Sequence, residues 1–381
     1  MPSVSFIVPT ISGPVLGPVT VLGKILSEHM PVQIVGPDMG DGVCPMYAGS
    51  YDYTVVSTPR IYRYPDYWKE SRELADAVTG EIVIAVKAAA STIPVAVRLK
   101  QKRGRKMVVY LDEWDGGLVT RMNPMQRCMD RVKHLHHPGE DIHAPRIEKL
   151  ITHADEVVST ATYMQRKFGG RIIHMGVDPD FFKPANALRV AALKQHLGLK
   201  GKKLLVFGGV VRPHKGMDIV LEALRQMNRP DEIQLVIVGP ETEHLKDLQA
   251  NPAYSPYFTC TGSQPQEKMP EFLSLANAMV LPLIQDVISE SQVPCKVFEA
   301  MAMAKPIIAS ALSDLPEILD DCGRTVPPGD VTAMRGAIEA FIFDQPDEAL
   351  RLGELARLRC RERYSKAQTE EALLQLIQDL S

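Results

Sequence analysis

The stretch Lys203-Leu204-Leu205-Val206-Phe207-Gly208-Gly209-Val210-Val211-Arg212-Pro213-His214-Lys215-Gly216-Met217 decides the fold. It reads as a short apolar run, a glycine-bearing turn with two cations, and the start of an amphipathic helix over 217–227. A strand that is apolar at every position, followed by a crossover-length helix, belongs to a parallel sheet covered on both faces. The glycines let backbone amides approach an anion, the helix start offers unpaired N–H groups, and Arg212 and Lys215 add fixed positive charge. That is the chemistry of a diphosphate site, and a solvated turn carrying two surface cations is the alternative. The loop is neither GxxxxGK[ST] nor GxGxxG, so a P-loop and a dinucleotide fingerprint are both excluded.

Outward from this unit the same alternation runs the length of the chain. Strands are expected at 5–8, 32–35, 53–56, 82–86, 107–111, 156–159 and 172–174, then at 203–207, 234–238, 257–260, 278–281, 306–309 and 323–326. Helical patterns lie between them, for example at 66–78, 217–227, 266–276 and 296–303, and the tail over 348–380 is helical. A polar, helical stretch near 184–200 separates the two series. The expectation is therefore two doubly wound α/β domains, 1–183 and 184–362, with 363–381 forming a helix that crosses back to the first. In such sheets ligands sit at the carboxyl ends of the strands, so the chemistry is expected on the loops there.

Composition narrows the classes. At about 150 residues per domain, 381 residues make two domains. With 43 basic and 46 acidic residues the net charge is −3, and no global attraction to nucleic acid exists. Six scattered cysteines without a CxxC exclude a zinc ribbon or disulfide scaffold. Pro9 interrupts the first apolar run, no basic leader precedes it, and the apolar window 82–97 is too short and too interrupted to span a bilayer. The expected location is cytoplasmic, at most peripheral at the inner membrane face.

A second loop follows strand 278–281 and reads Ile288-Ser289-Glu290-Ser291-Gln292-Val293-Pro294-Cys295-Lys296-Val297-Phe298-Glu299. Lys296 and Glu299 are three apart and share a helix face. A carboxylate there accepts from a pair of sugar hydroxyls; an ordinary ion pair on a core-packed helix is the alternative.

On these residues the second domain resembles the nucleotide-sugar-binding half of the family-4 glycosyltransferases, which have the two-domain GT-B architecture with Rossmann-like domains facing a cleft. The matches are Lys215-Gly216, Val238-Gly239, Gly262, Pro282, Phe298-Glu299-Ala300-Met301-Ala302 with Lys305-Pro306, Leu315-Pro316-Glu317 and Pro327-Pro328-Gly329-Asp330. Gly176-Val177-Asp178 with Phe182 and Pro184 resembles the family's linker. The first 150 residues match by strand order alone. The resemblance implies a retaining, metal-independent hexosyl transfer from a nucleoside-diphosphate sugar, UDP-sugar favoured, to a hydroxyl acceptor, with no cofactor. It implies that Lys215 and Arg212 grip the diphosphate beside Gly209 and Gly239, that Glu299 binds the ribose, and that Glu290, Ser291, Lys296 and Val297 lie by the transferred sugar. Where the family has a first glutamate, eight positions before Glu299, this chain has Ser291 preceded by Glu290. Glu290 is taken as a catalytic candidate, and Arg212 sits two residues beyond the family's arginine position.

In the first domain Gly13 and Gly17 stand where the family's glycine loop faces the diphosphate and acceptor, with prolines between them. Asp112, after strand 107–111, takes the place of a histidine in many relatives and is the second catalytic candidate, able to orient an acceptor hydroxyl or draw its proton; an N-cap is the alternative. A catalytically silent sugar-nucleotide binder and a sugar-nucleotide epimerase are the other readings. Two basic segments, Arg98 to Lys106 and Arg121 to His137, raise a peripheral membrane contact through the first domain, set against solvated helix ends. His134, His136 and His137 fit no common zinc spacing, and no metal is assigned. Nucleic-acid binding is rejected for want of interleaved aromatics.

Overall fold

The computed structural model describes residues 2–381. The strands are β1 Val4–Ile7, β2 Val32–Asp38, β3 Tyr53–Ser57, β4 Ile82–Val86, β5 Lys106–Leu111, β6 Glu156–Ser159, β7 Arg171–Ile172, β8 Lys203–Gly208, β9 Ile233–Val238, β10 Phe258–Cys260, β11 Ala278–Leu281, β12 Ile307–Ser310 and β13 Arg324–Val326. They form a seven-stranded sheet in the order β3-β2-β1-β4-β5-β6-β7 and a six-stranded sheet in the order β10-β9-β8-β11-β12-β13, every pairing parallel. The chain divides into two units: one runs to Met175 and includes Thr369–Ser381, the other is Gly176–Gln368.

In the first unit the period-two alternation of a strand feeds two separate cores. Ile7, Val83, Ala85 and Val109 pack with Leu74 and Ile93 on one face of the sheet. Phe6, Ile84 and Val108 pack with Leu22 and Ile25 on the other. Both faces are covered, which is why these strands are apolar at nearly every position, Ser5 and Lys106 excepted. Each large side chain so buried contributes roughly 1.5–3 kcal/mol. The second face is completed by Leu373, Leu376, Ile377 and Leu380 from the end of the chain.

In the second unit Leu205, Phe207, Leu235 and Ile237 pack against Val220 and Leu224 of the helix Met217–Met227. The expected helix over 266–276 is instead a 3-10 turn, Gln266–Lys268, followed by the helix Met269–Ser274. Pro270 explains the break: a residue without an N–H belongs in a first turn, not mid-helix. The tail is two helices, Pro346–Arg363 and Lys366–Leu380. At the junction Val177 bridges Ser365 in parallel, its amide donating to the Tyr364 carbonyl (3.1 Å). Among the described residues no helix is long and apolar enough to cross a membrane, and all six cysteines are free.

Candidate functional site

The order of the second sheet reverses between β8 and β11, and that switch point opens a crevice at the carboxyl ends of those strands. The loops following them meet there backbone to backbone. Gly216 has φ +62°, and a Cβ on it would lie 1.8 Å from the Pro282 carbonyl oxygen, so only glycine fits. The Ile284 amide donates to the His214 carbonyl at 3.1 Å. From the neighbouring strand, Gly239 rests on Gly209: a Cβ at Gly239 would be 2.0 Å from the Gly209 oxygen. A Cβ at Gly209 would in turn lie 3.9 Å from Lys296 Cε. Gly209, Gly239 and the Lys296 stem are therefore neighbours, and the loop carrying Lys215 packs against the one after β11. Lys215 is half-buried and Arg212 exposed.

Lys296 opens the helix Lys296–Ala302, and its Nζ lies 2.7 Å from Glu299 Oε1. The expected ion pair forms, but it satisfies one carboxylate oxygen only. Glu299 Oε2 is enclosed without a hydrogen-bond partner, on a side chain 13% exposed. A buried acceptor left open is costly unless something donates to it. Val297 is wholly buried and its amide donates to the Pro294 carbonyl (2.9 Å), so its side chain serves the core.

Glu290 and Ser291 lie on a short helix, Val287–Ser291, which the sequence reading took as loop. Asp286 caps it, accepting from the Ile288 amide at 2.8 Å. Glu290 is half-buried and accepts from Gln285 Nε2 at 3.3 Å, whereas Ser291 is buried and donates to the Ile288 carbonyl at 3.2 Å. Ser289, not singled out from sequence, is wholly buried with an Oγ that has no hydrogen-bond partner.

The first sheet reverses between β1 and β4. The Pro9 carbonyl after β1 accepts from Tyr62 OH (2.7 Å) and Ser91 Oγ (3.1 Å). Burial pushes the Tyr62 hydroxyl up to about 12, with Ser91 opposing. Gly13 lies in this loop; Gly17 lies in the first turn of the helix Leu16–Ser27, where a Cβ would be 2.5 Å from Tyr47 OH. Tyr47 thus covers Gly17.

Asp112, directly after β5, faces Lys87, directly after β4, at 3.6 Å. Lys87 also pairs with Glu113 and, at 3.6 Å, with Asp115. Burial raises Asp112 and Asp115 above the ordinary carboxylate value; the Lys87 ammonium opposes that rise and the neighbouring carboxylates add to it. Burial opposes the charge on Lys87, but Asp112, Asp115 and Glu113 together outweigh it and hold the ammonium above its usual range. A carboxylate so raised is a stronger base than a solvated one. Lys87, like Ser289, is not singled out by the sequence. Its one sequence signal is a cation directly after an apolar strand; in the structure its backbone φ is +64°.

In the first basic segment two of the cations are in ion pairs, Lys100 with Asp155 at 2.7 Å and Arg103 with Asp76. His134 faces carboxylates, Asp130 at 3.6 Å and Glu140 at 3.3 Å. Among the described residues the one group with ligand atoms mutually within 4.8 Å is Glu28, His29 and Glu370, where His29 Nε2 already pairs with Glu370 at 2.6 Å.

Residues 201–344 match the family model of the glycosyl transferases group 1. The chain is 26% identical over 207 residues to the alpha-D-kanosaminyltransferase of Streptomyces kanamyceticus, covering 53% of this chain and 52% of that one. It is also 26% identical over 226 residues to the GDP-mannose-dependent alpha-(1-6)-phosphatidylinositol monomannoside mannosyltransferase of Mycolicibacterium smegmatis, covering 55% and 57%. It thus spans about half the length of the curated relatives it matches. Among solved structures, Anabaena HepE in complex with UDP-glucose superposes with a TM-score of 0.77 at 16% identity over the whole of both chains. Sucrose-phosphate synthase from Thermosynechococcus elongatus gives 0.74 at 17%, covering 100% and 99%. Two parallel Rossmann-like sheets and the solved structures they superpose on give this chain the GT-B fold, and residues 201–344 carry its likeness to the glycosyl transferases group 1.

Proposed function

We propose that the protein is a retaining glycosyltransferase that moves a hexosyl group from a nucleoside-diphosphate sugar, UDP-sugar favoured, to a hydroxyl acceptor. The observation that carries this reading is the meeting of Gly209, Gly239 and Lys296 at the switch point, beside a Glu299 oxygen with no partner. The diphosphate lies along the loop 209–216 with Lys215 and Arg212, and the ribose hydroxyls donate to Glu299. Glu290, Ser291 and Lys296 border the sugar. The acceptor oxygen bonds to the anomeric carbon as the bond from that carbon to the leaving phosphate breaks, and the acceptor proton passes to a phosphate oxygen. Negative charge grows on the leaving diphosphate, so cations fixed there stabilise the transition state more than the ground state. On the first unit, Asp112, held by Lys87, orients the acceptor hydroxyl. HepE, solved with UDP-glucose, supports UDP as the first donor to test.

Thermal-shift screening against UDP-, GDP-, ADP- and dTDP-sugars tests the reading. At a hundred times its dissociation constant, a specific donor adds about 2.7 kcal/mol of stability. Lys215→Ala and Glu299→Ala should each abolish that shift without lowering the unliganded melting point. Retained donor affinity in both variants refutes the assignment, and donor binding without transfer to any acceptor favours a silent binder.

A further inference from the structure

Lys87 stands among more carboxylates than one ammonium can serve. Its Nζ pairs most closely with Glu113, while Asp112 Oδ1 and Asp115 Oδ1 each lie 3.6 Å away, beyond hydrogen-bond reach. Asp112 Oδ1 is enclosed and has no hydrogen-bond partner. Asp115 gives its other oxygen to the Ala88 amide at 3.2 Å. The surrounding groups add to this field. Burial and Glu140 raise Asp141; Lys87 opposes the rise, and Asp130 and Glu113 reinforce it. Burial also raises Glu148, against the Gly116 amide and Lys167 and with Asp115. Lys167 itself lies over the Trp114 ring, 3.9 Å from its centre. The carboxylates are not sealed in: the Asp112 side chain is 26% exposed and that of Asp115 22%. They follow β5, next to the strands between which the first sheet reverses, where this unit is placed to take a ligand.

The geometry decides what kind of cation completes the arrangement. A metal ion needs ligand atoms that converge, and among the described residues the one group that does so is Glu28, His29 and Glu370, not this one. An ammonium carries three donors and needs no such convergence. It also favours the ionised form of carboxylates that burial has raised. Asp112 Oδ1 and Asp115 Oδ1 flank a single nitrogen, so a hydroxyl held by Asp112 and an amine held by Asp115 fit on one small ring. A neutral acceptor leaves the negative field unanswered, and an anionic one meets repulsion.

Resting on the transfer reading above, we infer that the first unit selects a positively charged acceptor. Its class is an amino sugar or aminated cyclitol, with the ammonium against Asp115 and Asp141 and the reacting hydroxyl at Asp112.

The test uses three probes that share a ring and differ in charge: methyl glucosaminide (ammonium), methyl glucoside (neutral) and methyl glucuronide (carboxylate). Each is titrated against the full-length protein, with and without UDP, and affinity is read by ligand-observed NMR. The ammonium sugar should bind about tenfold or more tightly than the neutral one, the margin of a charge-assisted hydrogen bond. The carboxylate sugar should bind most weakly. Asp115→Asn should cut the preference to about threefold or less, because asparagine still accepts from the Ala88 amide but no longer carries the charge. Equal binding of the three sugars, no binding of the ammonium sugar, or an unchanged preference in Asp115→Asn overturns the inference. Donor binding is read separately by thermal shift. A donor shift without an ammonium preference sinks this inference alone, whereas an absent donor shift sinks the transfer reading.

Discussion

Lys87 shows how much one buried charge decides. It stands among Asp112, Glu113 and Asp115, and without it three carboxylates would crowd a partly enclosed pocket. Lys87→Met should therefore cost about 3 kcal/mol at neutral pH. Asp112 and Asp115 are held above the ordinary carboxylate value, so the folded chain takes up their protons at a higher pH than the unfolded chain does. Their ionised forms thus oppose folding at neutral pH, and that opposition is relieved as pH falls through the raised values. The deficit of the variant should shrink as pH is lowered from neutral in urea melts; a deficit that stays constant would show that Lys87 does not hold these carboxylates. Little of this was legible beforehand. Asp112 was singled out because it ends a strand, but its partner lies 25 positions earlier, on the adjacent strand, and sequence spacing does not report which strands are adjacent.

Elements were read more easily than their joints. The helix Met217–Met227 and strands β4, β6 and β11 fall where periodicity puts them, because apolar spacing is a local property. The short helix Val287–Ser291 was missed, since five residues are too few to show a period and its signal is the single cap Asp286. Packing between elements was invisible as well. Arg357, on Pro346–Arg363, donates to the carbonyls of Phe182 (3.1 Å) and Pro179 (3.0 Å) and to that of Ala302 at the end of the helix bearing Glu299. A cation suits the carbonyl end of a helix, and the planar guanidinium fork spreads its donors over acceptors that a single ammonium nitrogen would have to share. Arg357→Lys should lower stability by about 1–2 kcal/mol, read as a lower urea midpoint with unchanged slope. An unchanged midpoint would mean that these three bonds contribute nothing net.

At the scale of the whole molecule, the last helix belongs to the first unit's core. Leu376 is almost fully buried, with Leu373 and Ile377 beside it, over a sheet that begins at residue 4. Leu376→Ala should cost about 2–5 kcal/mol, and deleting 369–381 should remove the first unit's melting transition from a calorimetric scan. A truncated chain that melts like the full one would show the first core complete without it. The sequence by itself determined that both halves are parallel α/β sheets, because a strand buried on both faces must be apolar throughout and that requirement is written residue by residue. It also determined the chemistry on offer at the strand ends: glycines, cations and a helical Lys296–Glu299 pair. Only the tertiary structure decided which loops meet. Strand order sets Gly216 against Pro282 and Gly239 against Gly209, leaves Glu299 with an open oxygen, and brings Asp112 to Lys87. Adjacency of strands depends on how distant segments pack, and no local pattern encodes it.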